Sequence, residues 1–170
     1  MLRKDKGKEA KLVFLGHALM ENFHGLLVDF QVTPADGTAE QAMVPELVDA
    51  PWERGVRPRT LGADKSYDTA ECGADLYVRD ATPRVAQNTG RKGSSGIDGR
   101  NTRHVGYGIS QRIRKRVEEI FGWMKTGGGF RRTRFRGLDL TGLAGYLVAT
   151  AYNPVRLSRL ATHAAPLPAA

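Results

Sequence analysis

Apolar residues recur every three to four positions through Arg112–Lys125, at Ile113, Val117, Ile120 and Met124, inside the most basic stretch of the chain. That spacing fits a helix with one buried stripe, so the segment must fold against a core while carrying its charge at the margin or in water. At about 100° per residue, Arg114, Glu118, Phe121 and Lys125 fall on a second stripe along the edge of the first, and Glu119 points away from both. The ordinary account of Glu118 and Glu119 is an ion-paired solvent face, since carboxylates four positions from basic residues stabilise helices slightly. Helical phase separates the two. It predicts a half-buried Glu118 at the core border and a solvated Glu119. A carboxylate between two cations stays ionised, which suits a metal ligand and not a general acid.

The rest of the chain reads as strands alternating with helices. Lys11–Gly16 and His24–Thr33 are apolar, β-branched runs predicted to pair as an antiparallel hairpin around Met20–Phe23. Asp36–Thr38 reads as a turn and cap before a helix over Ala39–Asp49, and Pro51–Pro58 reads as a loop. Arg59–Ala63 is predicted as a strand ending at Asp64. Tyr67–Thr69 opens a helix towards Leu76 with Asp68 as its cap, and Arg84–Gln87 is a further strand. Residues 88–108, rich in Gly, Ser, Asn and basic side chains, are expected to form a flexible basic loop; they contain no P-loop motif. A helix bearing Glu118 follows and ends near Gly127–Gly129. Leu138–Leu160 is predicted as one or two helices interrupted near Pro154, with the apolar run Leu143–Tyr152 read as a buried helix, and residues 161–170 as a disordered tail. This order predicts an α/β or α+β sheet flanked by helices, in one domain over residues 1–160.

The charge is unevenly placed. Residues 1–83 hold 10 Lys/Arg against 14 Asp/Glu, a balance of −4, while residues 84–170 hold 16 against 4, a balance of +12. A basic half on a near-neutral scaffold points to a polyanionic partner. Arg112, Arg114 and Lys115 lie in the basic helix. Arg131, Arg132, Arg134 and Arg136 interleave with Phe130 and Phe135, a pattern able to grip phosphates and stack on bases. The single cysteine, Cys72, excludes a disulfide framework and fits a reducing compartment. The polar start is no signal peptide, and Leu143–Tyr152 is too short to span a bilayer. No membrane partner and a cytoplasmic, nucleoid-associated location are therefore expected.

Asp64, at a strand end before a helix, is either a cap for the next helix or a functional acid, because chemistry in open α/β sheets gathers at the carboxyl ends of strands. Paired with Glu118, it offers two carboxylates to one divalent ion from two elements of one core. Mg²⁺ takes such a set together with water and phosphate oxygens.

The segments Leu61–Asp68 and Arg112–Lys125, continued by Gly127–Gly137, resemble the DDE transposases of bacterial insertion sequences, closest to insertion-sequence family five. Gly16–Asn22, Gly25–Asp29 and Gly37–Glu40 share the likeness, which spans roughly residues 3 to 160. Arg114, Glu118 and Lys125 reproduce the Arg-x3-Glu-x6-Lys signature around that family's catalytic Glu. The resemblance implies an RNase H-like mixed sheet and Mg²⁺- or Mn²⁺-dependent DNA strand cleavage and transfer. It assigns Asp64 as the second catalytic Asp, Glu118 as the catalytic Glu, and Arg114 and Lys125 as supporting, DNA-contacting residues. Transposon ends and target DNA become the expected partners, with a homo-oligomer as a further possibility. Gln111 stands where the signature usually has Tyr, with Tyr107 nearby, and Ser66 where the family usually has Gly. The family's first Asp has no counterpart in context, since Asp5 lies in a polar run and Asp29 on a later strand. The expectation is a domain without its first strand and inactive alone. The alternative is a non-catalytic nucleic-acid-binding protein that uses the basic C-terminal half.

Overall fold

The computed structural model describes residues 13–35, 39–90 and 95–163. It is a mixed α/β structure with two separate two-stranded sheets rather than one continuous sheet among the described residues. β1 (Phe14–Met20) and β2 (Leu27–Pro34) form the expected antiparallel hairpin, in a register that pairs Ala18 with Phe30. Its first strand runs later than expected, to Met20, because Glu21 organises the turn. The Glu21 carboxylate accepts from the backbone N–H groups of Phe23, His24 and Leu26 at 2.7, 2.6 and 3.0 Å. Burial pushes the Glu21 carboxyl up, but these three donors outweigh it and hold the group below the usual range. Gly25 completes the turn at φ +70°, a conformation that favours glycine.

The helix expected over Ala39–Asp49 is two, α1 (Ala39–Ala42) and α2 (Val44–Glu53), the second opening with Pro45 in its first turn. Its far end absorbs Pro51, so the loop begins after Glu53. The turn expected at Asp36–Thr38 lies outside the described residues. β3 (Thr60–Leu61) and β4 (Thr82–Pro83) pair in parallel. The strand predicted at 84–87 is assigned two residues earlier, yet its backbone bonding continues, with Arg84 N to Leu61 O at 2.7 Å and Ala86 N to Ala63 O at 3.0 Å. Between the strands, α3 (Ala70–Val78) is capped by Thr69, not Asp68. Asp68 is buried and instead accepts from Asn88 N and Ser95 Oγ, at 2.6 and 2.9 Å.

The basic loop ends sooner than expected. α4 (Gly99–Arg103) starts on an Asp98 cap, and α5 (Val105–Ile113) on a His104 cap. Short polar side chains at helix starts satisfy free N–H groups, which lets helix form in a Gly-rich stretch. A 3-10 turn over Arg114–Arg116 leads into α6 (Val117–Lys125). The final helix, α7 (Leu138–His163), is a single element through Pro154. Tertiary bonds on both sides of the proline hold it. The Asn153 amide accepts from Leu27 N at 2.7 Å and donates to Leu27 O at 2.9 Å, and Arg156 Nε donates to His24 O at 2.8 Å. The reading of Leu143–Tyr152 as a buried helix is corrected. Gly145, Ala149 and Tyr152 face inward, but Leu143 and Leu147 are 58% and 62% exposed. α7 also reaches His163, so the tail expected from 161 is helical to that point; residues 164–170 lie outside the described residues.

Two apolar clusters hold these elements. Phe30, Ile120, Met124, Ala149 and Tyr152 join β2, α6 and α7. Val44, Val48, Cys72, Leu76 and Ala81, with Leu61 and Tyr67 against them, join α2, α3 and β3. Arg79 ties α2 to α3 through two 2.7 Å bonds to Asp49, and this guanidinium holds the Asp49 carboxyl below its usual range.

Asn153→Ala is expected to cost ~1–3 kcal/mol, since it strips partners from both Leu27 backbone groups; an unchanged urea midpoint would refute the clamp. Burial pushes the Cys72 thiol up to about 11. Its reaction with a disulfide-exchange reagent should therefore be slow in the folded protein at pH 8 and rise only as pH nears 11 or the protein unfolds. Fast native-state labelling at pH 8 would contradict this.

Candidate active-site cleft

A cleft of about 620 Å³ opens between the two sheets, lined by β1 on one side and by Thr60–Asp64 on the other. α2 contributes Val44, Leu47 and Val48, and the segment from Ile113 to Phe121 supplies a further wall. Asp64 and Glu118, proposed as partners from sequence, both line this cleft.

Asp64 ends the β3 segment and caps the 3-10 turn Lys65–Tyr67. Its Oδ1 accepts from Ser66 N at 2.8 Å and from the Ser66 hydroxyl. Oδ2 has no protein partner among the described residues. Ser66 also reaches Glu40 Oε2 at 3.3 Å, and its carbonyl accepts from Gln41 Nε2 at 2.7 Å. Ser66 thus fastens Asp64 to α1. The capping alternative for Asp64 is what the structure shows, and it engages Oδ1 alone. Tyr67 stands in the same cleft. Burial, then the negative charges of Glu40 and Asp64, push its hydroxyl up to about 12, so it stays a neutral donor at ordinary pH.

Glu118 lies in the first turn of α6 and is exposed, not half-buried as expected. The 3-10 turn just before it advances the chain by roughly 20° per residue more than an α-helix, so a single helical phase does not carry from Arg112 to Lys125. Glu118 has no hydrogen bond or ion pair among the described residues. Glu119, expected to be merely solvated, pairs with Arg156 at 3.2 Å.

Arg114 is half-buried, and its Nε donates to Gln111 Oε1 at 2.9 Å. Gln111 in turn donates to Arg84 O at 2.7 Å, and Tyr107 donates to Val85 O at 3.1 Å. One face of α5 is thereby pinned along the chain following β4. A Cβ at Gly62 would lie 3.6 Å from Arg114 Cβ, so the strand end carrying Asp64 runs close beneath the turn before Glu118. Lys115 lines the cleft, whereas Arg112 and Lys125 are exposed and lie outside its lining. Arg131, Arg132, Arg134 and Arg136 are all exposed, also outside the cleft.

Three cleft residues were not singled out from sequence. Arg116 donates to the carbonyls of Asn22 and Phe23 at 2.6 and 2.9 Å and braces the hairpin turn against α6. Nothing in the local pattern sets this arginine apart from its basic neighbours. Glu21 and Glu40 add acidic groups to the walls; Glu40 lay within a segment of family likeness, but no spacing argument marked it.

Among the described residues no group of three His, Cys, Asp or Glu is close enough to hold a metal ion. Asp64 and Glu118 line one cleft, and carboxylates are the ligand type that an ion such as Mg²⁺ takes together with water and phosphate oxygens. Among the described residues, no helix is long and apolar enough to cross a membrane.

A family model described as the transposase DDE domain matches residues 3–153. No curated protein and no solved structure matches the chain.

Gln111→Leu should cost ~1–3 kcal/mol by removing both bonds that fix Arg114 and the α5 face. Arg112→Ala, at an exposed neighbour, should stay within about 0.5 kcal/mol of the parent. Equal effects of the two in denaturant unfolding would show that Gln111 is not an anchor.

Proposed function

The chain belongs to the transposase DDE-domain family, and from that premise we propose that it is the catalytic-domain portion of an insertion-sequence transposase with an RNase H-like core, akin to insertion-sequence family five. Family membership brings DNA as the partner and strand cleavage and transfer as the chemistry; transposon ends and target DNA are the proposed substrates. The observation that carries the reading is that Asp64 and Glu118 line one cleft.

In this reading Asp64 and Glu118 hold Mg²⁺ or Mn²⁺, which when bound would polarise a phosphoryl oxygen and activate the attacking oxygen. Ser66 fixes the Asp64 carboxylate with one oxygen turned free. Arg114, held by Gln111, and Lys115 supply positive charge at the rim, where a phosphate must approach two acids. Arg112, Lys125, Arg131, Arg132, Arg134 and Arg136 form the outer DNA-contacting surface. The 170 residues by themselves are inactive in strand transfer, because two carboxylates hold the ion too loosely to position an attacking oxygen.

A second reading, a non-catalytic nucleic-acid binder, draws on the exposure of the four arginines over 131–136. Titration with Mn²⁺ separates the two. Weak binding that is lost in the Asp64→Asn, Glu118→Gln double variant is expected, together with tighter DNA binding when the ion is present. Metal-independent DNA affinity, unchanged in the double variant, would favour the binder. Reproducible strand transfer by the purified chain would overturn the inactivity.

A further inference from the structure

The hairpin turn after β1 combines a fixed backbone with a bare aromatic ring. Phe23 is 88% exposed, more than any other large apolar side chain among the described residues. A single exposed apolar residue is ordinary; its setting here is not. The Glu21 carboxylate takes the N–H groups of Phe23, His24 and Leu26, and Glu21 N donates to Leu26 O at 2.9 Å. Arg116, from the turn before α6, donates to the carbonyls of Asn22 and Phe23, and Arg156 of α7 donates to that of His24. Both backbone groups of Phe23 and both of His24 are therefore engaged. A mobile turn could fold its ring back onto the protein, whereas this one holds the ring out in water.

The neighbours of Phe23 at the tip, Asn22 and His24, are exposed and polar. The His24 ring lies beside that of Phe23, centroids 6.3 Å apart and planes inclined by 39°. Rings in such polar surroundings offer far less than the roughly 800 Å² per partner of a standard protein interface. They do match the face of a nucleobase, and stacking on aromatic side chains is how proteins hold the bases of single strands. Phe23 also lines the cleft that holds Asp64 and Glu118, as does Lys115. Arg116, which grips the Phe23 carbonyl, stands two residues before Glu118, so the ring and that carboxylate are tied through one short stretch of chain. Lys115 next to it is exposed, with its charge open to a phosphate. In a paired duplex each base is already covered by its neighbours, and one ring returns no more than unstacking costs. An unpaired base has its face open.

We propose that Phe23 is a stacking platform for one unpaired nucleobase of a DNA strand that crosses the cleft, with His24 widening the platform and Lys115 meeting an adjoining phosphate. The ring sets where the strand lies relative to Asp64 and Glu118. Every base has a π-face, so the site takes any of the four. The inference rests on the proposed function for DNA as the partner and on none of its metal chemistry.

The test measures affinity of the full chain, in buffer with EDTA, for a single-stranded oligonucleotide and for the duplex of the same sequence. Phe23→Ala should weaken single-strand binding about 5- to 100-fold and duplex binding by less than about twofold, with the salt dependence unchanged because no phosphate contact is lost. Phe23→Trp should bind the single strand as the parent does. With 5-iodouracil in the strand, irradiation should join the base to Phe23, as located by peptide mass spectrometry. Single-strand affinity unchanged in Phe23→Ala, equal losses for single strand and duplex, failure of Phe23→Trp to bind, or cross-linking that bypasses Phe23 overturns this inference alone. A parent chain that binds no DNA overturns it together with the proposed function.

Discussion

Neither sheet in this protein can stand alone, and the helices that brace them determine everything else. A two-stranded hairpin is marginal in water, and two paired residues in β3 and β4 are less still. The hairpin survives because α7 and α6 cover one face through Phe30, Ile120, Met124, Ala149 and Tyr152. Asn153 then imitates a neighbouring strand at Leu27, taking both of its backbone groups. The parallel pair survives because α2 and α3 bury Val48 and Leu76 beneath it and Arg79 locks those helices together. Two supports that meet different helices leave a gap between the sheets, and Asp64 and Glu118 both line that gap.

Asp64 shows how a structural task can leave a side chain open to a second, proposed one. A strand that ends in an aspartate before a 3-10 turn needs a cap, and Oδ1 supplies it. Capping fixes the carboxylate without consuming it, because the second oxygen has no protein partner among the described residues. Ser66 strengthens the arrangement by adding a hydroxyl donor and a link to Glu40. Gln111 plays the corresponding part on the other side. An amide both donates and accepts, so it bridges Arg84 O and Arg114 Nε, which a side chain with a hydroxyl alone would do with less reach.

The sequence disclosed the hairpin, the short strand before Asp64 and the helical nature of 112–125, where the pattern of apolar residues is local; it missed the helix opening at 105, since it read 88–108 as loop. It also singled out Asp64 and Glu118, which the fold places on one cleft. It misjudged features set by long-range contacts. Pro154 carries a helix-breaking signal that the bonds of Asn153 and Arg156 override. The exposure of Glu118 depends on a 3-10 turn that no periodicity marks. Thr69 and Asp68 are both good caps by composition, and only the chain returning at Asn88 and Ser95 gives the aspartate a different task. Arg116 and Arg156 look like DNA-facing charge but are spent on the hairpin turn and on Glu119.

The exposure of Glu118 changes how the pair must act. A buried carboxylate would bind an ion through a dry, pre-formed cage, whereas an exposed one in ~0.15 M salt feels its partners through a screening length of about 8 Å. In the proposed reading, two exposed acids would hold a divalent cation weakly until a phosphate closed the remaining positions. Arg114 and Lys115 would sharpen that dependence, opposing a bare cation and attracting the phosphate that accompanies it. Affinity for metal and affinity for nucleic acid would then rise together, as reciprocal coupling requires. On that reading the field that disfavours a lone cation is the one that would recruit its phosphate partner.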